Sequence, residues 1–281
     1  MKKILLFYKY YLNFLSVFAP KYGGKVAVNL FQKVRLKELK RREKPFYEQA
    51  KAFRIPFDKE NIFAYELGNP AGKLLFLNHG WDSNSGSLSK FATELSQTNM
   101  YRIIAFDLPA HHQSKHQYTN LYEAKNAFKT VLNFIKPTKP FSVVAHSFGA
   151  AVTAFALSET NYKVNKIVFL SGNDVIEDVF KQFQKMIGFN DVIYNEISKW
   201  THQIIKEPLN QLIVSNRLKQ IDFDELLLVH DKYDKVIPFK NAESTHQKIP
   251  NSVLLPFEKI GHYRMLWNDD VVAATVKFLG R

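Results

Sequence analysis

Five short, nearly uninterrupted apolar runs, separated by helix-length amphipathic stretches, restrict the fold of this chain more than any other feature. They lie at Leu74–Leu77, Ile103–Phe106, Phe141–Ala145, Ile167–Leu170 and Leu226–Val229. A strand with one wet face alternates apolar and polar residues, whereas a continuous run fits a strand covered on both faces, as in parallel sheets. Segments with helical periodicity stand between the runs at Ser87–Ser96, Leu121–Phe134, Phe148–Leu157 and Phe239–Lys248. A last strand at Val253–Phe257 precedes a closing helix at Asp269–Leu279. This alternation predicts the α/β class: an open, doubly wound, mostly parallel sheet with helices on both sides. In such sheets the chemistry gathers at the carboxyl ends of the strands.

The rhythm fails between Ser171 and Gln220, where the sequence is helix-like and carries Phe180, Phe183, Met186, Trp200 and Ile204. The expectation is a helical cap inserted at about 173–221 and lying over the site. Residues 1–50 read as a basic, amphipathic helical extension and 51–281 as the main domain. A chain of 281 residues that is 46% hydrophobic has enough apolar material for one sizeable core.

Net charge of +13 raises the question of nucleic acid, and its distribution answers it. Residues 1–50 hold 12 Lys and Arg against 3 Asp and Glu, so +9 of the +13 sits there. A local excess with no recognisable recognition motif argues against a nucleic-acid partner. The segment 4–19 is apolar apart from a stripe at Lys9, Asn13 and Ser16, which has helical spacing. It is shorter than the roughly 20 residues that span a bilayer. Three readings stay open: a helix packed on the protein's own surface, peripheral membrane attachment aided by Lys37, Lys40, Arg41, Arg42 and Lys44, and export through a signal peptide cleaved after Val17-Phe18-Ala19. The expected location is cytoplasmic, with the last two readings as its alternatives. The absence of cysteine removes disulfides, thiolate metal sites and cysteine nucleophiles.

Chemistry concentrates at three strand ends. The run FSVVAHSFG (Phe141–Gly149) passes from a buried strand through Ser147 into a helix. A serine on such a turn lifts its hydroxyl clear of the sheet, and the helix amino terminus behind it favours developing negative charge. Small residues must stand two before and two after it, here Ala145 and Gly149. The competing reading is a serine that merely caps the helix. A serine hydroxyl needs a base, and the base an orienting carboxylate. Asp234 follows the strand Leu226–Val229, and His262 follows Val253–Phe257 and Gly261, in the chain order Ser, Asp, His. The loop Asn78-His79-Gly80-Trp81 could supply one oxyanion donor, the amide of Trp81, with the amide of Phe148 as the second. The His79 side chain is assigned a structural role.

With these residues in view, the chain resembles the α/β-hydrolase superfamily over about 55–281. The shared features are NHGW, FDLPAHHQS, AHSFGA, HDKYDKVIP and the final GH. The resemblance implies Ser147 as nucleophile, Asp234 as orienter and His262 as general base. It favours Asp234 over Asp231, which stands where relatives usually carry glycine, as does His112 in its own loop. It implies hydrolysis of an ester, thioester or similar acyl bond through an acyl-enzyme, and the aromatic and aliphatic residues of the cap segment suggest a small apolar substrate. The alternatives are a non-catalytic binding protein of the same fold, or an acyltransferase or carbon–carbon hydrolase with the same three residues. No metal and no organic cofactor is expected.

Overall fold

The structure, a computed structural model, describes residues 2–36, 38–58 and 60–281. The chain opens with helices α1 (Lys2–Phe18), α2 (Pro20–Gln32) and α3 (Lys44–Gln49). Strands β1 (Lys51–Phe57), β2 (Glu60–Gly68) and β3 (Lys73–Asn78) follow, then α4 (Ser89–Gln97), β4 (Tyr101–Phe106) and α5 (Leu121–Ile135). Next come β5 (Phe141–His146), α6 (Phe148–Leu157) and β6 (Val164–Leu170). Helices α7 (Ile176–Ile187), α8 (Asp191–Ile205) and α9 (Val214–Leu218) separate β6 from β7 (Phe223–Asp231). The chain closes with α10 (Lys240–Lys248), β8 (Ser252–Phe257) and α11 (Asp269–Leu279).

These elements form two compact units, residues up to 33 with 175–213, and 34–174 with 214–281. The larger unit is built on one eight-stranded sheet of order β1-β2-β4-β3-β5-β6-β7-β8. β2 runs antiparallel to β1 and to β4, and every later pairing is parallel, with Phe76 opposite both Ile104 and Val143. The reason lies in side-chain chemistry: all six residues of β5 are buried, as are the last four of β3 and of β4. Central strands hidden on both faces favour apolar side chains. β1, at the sheet's edge, is mostly exposed and carries Arg54 and Pro56, in keeping with a strand that need not donate on both sides.

The smaller unit is built of helices, with one isolated antiparallel bridge between Val175 and Ile213. α1 packs on α7 through Asn13, whose Nδ2 donates to Gly188 O at 3.0 Å and whose Oδ1 accepts from Asn190 N at 3.0 Å. α2 packs on α8 so closely that a Cβ on Gly24 would stand 2.4 Å from Cβ of Glu196. Phe31 stacks on Phe180 with ring centroids 4.2 Å apart. Two segments far apart in sequence thus share one helical body.

The segment 34–50 belongs with the sheet instead, because Phe46 and Ala50 are buried in the sheet unit's core. The basic extension drawn over 1–50 therefore divides after residue 33. Its cluster divides too: Lys40 pairs with Glu43, Arg42 lies over the Trp267 ring at 4.4 Å, and Lys37 is outside the described residues.

Candidate active site

The carboxyl ends of β5, β6, β7 and β8 lie side by side, and each delivers one functional group. β5 ends at His146, and Ser147 then adopts φ 52° and ψ −118°, a region costly for any residue with a side chain. Two features hold it there. Ser147 N donates to Leu170 O of β6 at 2.9 Å. Gly149 lies so close to the 78–79 backbone that a Cβ would be 2.4 Å from Asn78 O and 2.6 Å from His79 O. The serine makes no side-chain cap on α6, so the capping alternative fails. Its hydroxyl points elsewhere.

Ser147 Oγ lies 2.9 Å from His262 Nε2, and His262 Nδ1 lies 2.7 Å from Asp234 Oδ2. The polarity of this line follows from the carboxylate. Burial alone would raise the Asp234 pKa, but the hydrogen bond and charge of His262, with the amides of Ile237 and Val236, hold it at about 2. An ionised carboxylate only accepts, so His262 Nδ1–H donates, and in the neutral ring Nε2 has the lone pair that faces the serine hydroxyl. Asp234 and His262 are buried while Ser147 is half-exposed, an arrangement in which a reacting group reaches the hydroxyl first.

Three partners of this line escaped the reading of the sequence. Ser171, directly after β6 with φ 48°, donates from Oγ to Asp234 Oδ2 at 2.8 Å. Asp231 accepts from the amides of Ile260 and Gly261 on Oδ2, the second at 2.7 Å, and from Tyr233 N on Oδ1 at 2.6 Å. It thereby ties the loop that presents His262 to the end of β7. A glycine at 231 has no side chain to make this tie. His146 Nε2 lies 3.0 Å from the backbone O of His262, and since a carbonyl only accepts, Nε2 carries the proton. Burial and then the neighbouring His262 ring push the His146 pKa down to about 3, so the ring is neutral near pH 7. All three residues sit at or just beyond strand ends, a positional signal present in the sequence.

The loop after β3 closes the site. A Cβ on Gly80 would stand 3.2 Å from Cβ of Ser147, so this backbone presses directly on the serine turn. The rings of Trp81 and Phe148 meet edge to face at 5.1 Å. His79 Nε2 accepts from Leu108 N at 2.9 Å and Nδ1 donates to Gly80 O at 2.8 Å, which pins the loop and uses both ring nitrogens. His112 has φ 43°, a left-handed backbone of the kind that favours glycine. Among the described residues, no group of three or more His, Cys, Asp or Glu side chains is arranged to hold a metal ion.

The family pattern described as the alpha/beta hydrolase fold matches residues 73–194, from β3 through α6 into the insertion. Over that stretch the chain is similar to the α/β-hydrolase superfamily. Among curated relatives of this hydrolase-fold chain is the uncharacterized hydrolase YugF of Bacillus subtilis, 23% identical over 248 residues, covering 74% of this chain and 90% of the relative. Among solved structures, an esterase of Pyrococcus furiosus superposes with a TM-score of 0.65 at 18% identity, covering 89% of this chain and 96% of that one. A membrane phospholipase A described as a bacterial virulence factor superposes with a TM-score of 0.64 at 16% identity, covering 85% and 88%.

Proposed function

We propose that the protein is a serine hydrolase that cleaves an ester or thioester of an apolar acyl group through an acyl-enzyme on Ser147. The observation that carries this reading is the continuous line from Asp234 to His262 to Ser147, 2.7 Å and then 2.9 Å, at the carboxyl ends of three strands. Ser147 Oγ attacks the acyl carbon as its proton passes to His262 Nε2. Asp234 holds the imidazole in the accepting tautomer and stabilises the imidazolium that forms. The amides of Trp81 and Phe148 receive the oxyanion, the second aided by the amino terminus of α6. The tetrahedral adduct collapses, and the leaving oxygen or sulfur takes the proton from Nε2. Water then attacks the acyl-enzyme, its proton passing to Nε2 and on to Ser147 Oγ, and the carboxylic acid departs.

An apolar acyl group is favoured by the half-exposed rings of Trp81 and Phe148 beside Ser147 and by Tyr263, whose ring lies 4.9 Å from that of His262. The B. subtilis relative named as a hydrolase and the P. furiosus esterase fit the same chemistry. A fluorophosphonate probe should label the wild type and leave Ser147→Ala unlabelled. With p-nitrophenyl esters of graded chain length, Ser147→Ala should lower kcat by about 10⁴- to 10⁶-fold with an unchanged melting temperature. Labelling that persists in Ser147→Ala would overturn the assignment. Turnover without an acceptor other than water separates hydrolysis from acyl transfer.

A further inference from the structure

α1 is amphipathic in an unusual sense, because both of its broad faces are apolar. One face is used inside the helical unit: Leu12 and Leu15 are buried, and Asn13, Ser16 and the stem of Lys9 fasten to 188–190. The other is not. Phe7, Tyr10, Phe14, Val17 and Phe18 are each between 59% and 73% exposed. At 100° per residue these five fall within roughly 100° of arc, a continuous stripe along one side of the helix. Of the nineteen large apolar side chains exposed among the described residues, eight lie within residues 4–22, so the feature is a patch rather than scattered exposure.

Charge identifies the occupant. Residues 1–33 contain six lysines and no acidic residue. Lys3 and Lys9 of α1 and Lys21 and Lys25 of α2 are exposed. A protein surface that covered this face would have to be both apolar and acidic in the same narrow band. A bilayer bearing anionic lipid offers that combination by construction: acyl chains for the rings and headgroup phosphates for the ammonium groups, which reach outward on long stems. Aromatic rings at a helix surface suit the interfacial layer. At 17 residues α1 is about 25 Å long, and no helix among the described residues is long and apolar enough to cross a membrane.

We propose that the exposed face of α1 docks the protein on the surface of an anionic phospholipid bilayer, the helix lying in the interface with Phe7, Phe14 and Phe18 inserted among the acyl chains. The test is co-sedimentation of the full-length protein with phosphatidylcholine vesicles containing phosphatidylglycerol, and with pure phosphatidylcholine vesicles. Wild type should bind the mixed vesicles at least about tenfold more strongly than the neutral ones, the difference shrinking in high salt. The combined variant Phe7→Glu, Phe14→Glu, Phe18→Glu should lose at least about a hundredfold in partitioning at an unchanged melting temperature. The single variant Phe14→Ser, at an exposed position, gives the same reading should the triple variant unfold, with a loss of several-fold. Wild type that binds neither vesicle, or variants that bind like wild type, would overturn the proposal. So would a dimer in analytical ultracentrifugation that the variants dissolve without any vesicle binding, because the occupant would then be a second copy of the chain.

Discussion

Strand β5 and helix α1 have similar apolar content and opposite fates. All six residues of Phe141–His146 are buried, whereas five of the bulkiest side chains between Phe7 and Phe18 stand in solvent. The backbone explains the contrast. A strand leaves its N–H and C=O groups unpaired until neighbours supply partners, so a central strand is drawn between β3 and β6 and covered on both faces. A helix satisfies its own backbone, and burying one stripe of it is enough to hold it in place. An apolar run therefore fixes the position of a strand almost completely, while an apolar helix still has a face to assign.

The same substitution in the two regions should give very different answers. Phe76→Ala, in β3 and fully buried, is expected to cost about 3–5 kcal/mol in chemical denaturation, since it removes a core ring and leaves a cavity. Asp231→Ala comes next, and its effect belongs on catalysis: untying the amides of Ile260 and Gly261 should lower kcat by about ten- to a hundredfold, with a much smaller change in melting temperature. If kcat and melting temperature fell together in proportion, Asp231 would be only a structural support. A smaller effect concerns acid. The folded-state pKa of Asp234, about 2, lies below its ordinary 3.8, so its contribution to stability is present above pH 4 or so and is lost as pH falls toward about 2. Wild type should accordingly lose more melting temperature than Asp234→Asn between about pH 5 and about pH 2. Smallest of all is Phe14→Ala in α1, expected within about 0.5 kcal/mol of wild type because its ring is already in water. A cost near that of Phe76→Ala would show that the α1 face is covered in the isolated protein.

The contrast also explains what could be read from the residues alone. The central strands and the helices α6 and α11 fall at the positions their apolar patterns indicate, because each run has one way to satisfy its backbone. Ser147, Asp234 and His262 were legible for a related reason: strand ends in a parallel sheet converge, so candidates there meet whatever their separation in sequence. Ser171, Asp231 and His146 occupy equally favourable places, yet each acts by holding another group rather than by a chemistry its residue type announces. The pairing of α1 and α2 with α7 and α8 left no local trace, because amphipathic helices name a buried face without naming a partner. β1 was faint for the opposite reason, since an edge strand with Arg54 and Pro56 lacks the continuous apolar run of the central strands.

The decisive experiment is to mix the protein with a p-nitrophenyl ester, quench within the first turnover, and locate the acyl group by mass spectrometry of the digested chain. The added acyl mass should sit on the peptide containing Ser147, appearing with the burst of p-nitrophenol and disappearing as water completes the cycle. Ester turnover with no acyl group on that peptide, or turnover undiminished in Ser147→Ala, would contradict the acyl-enzyme assignment.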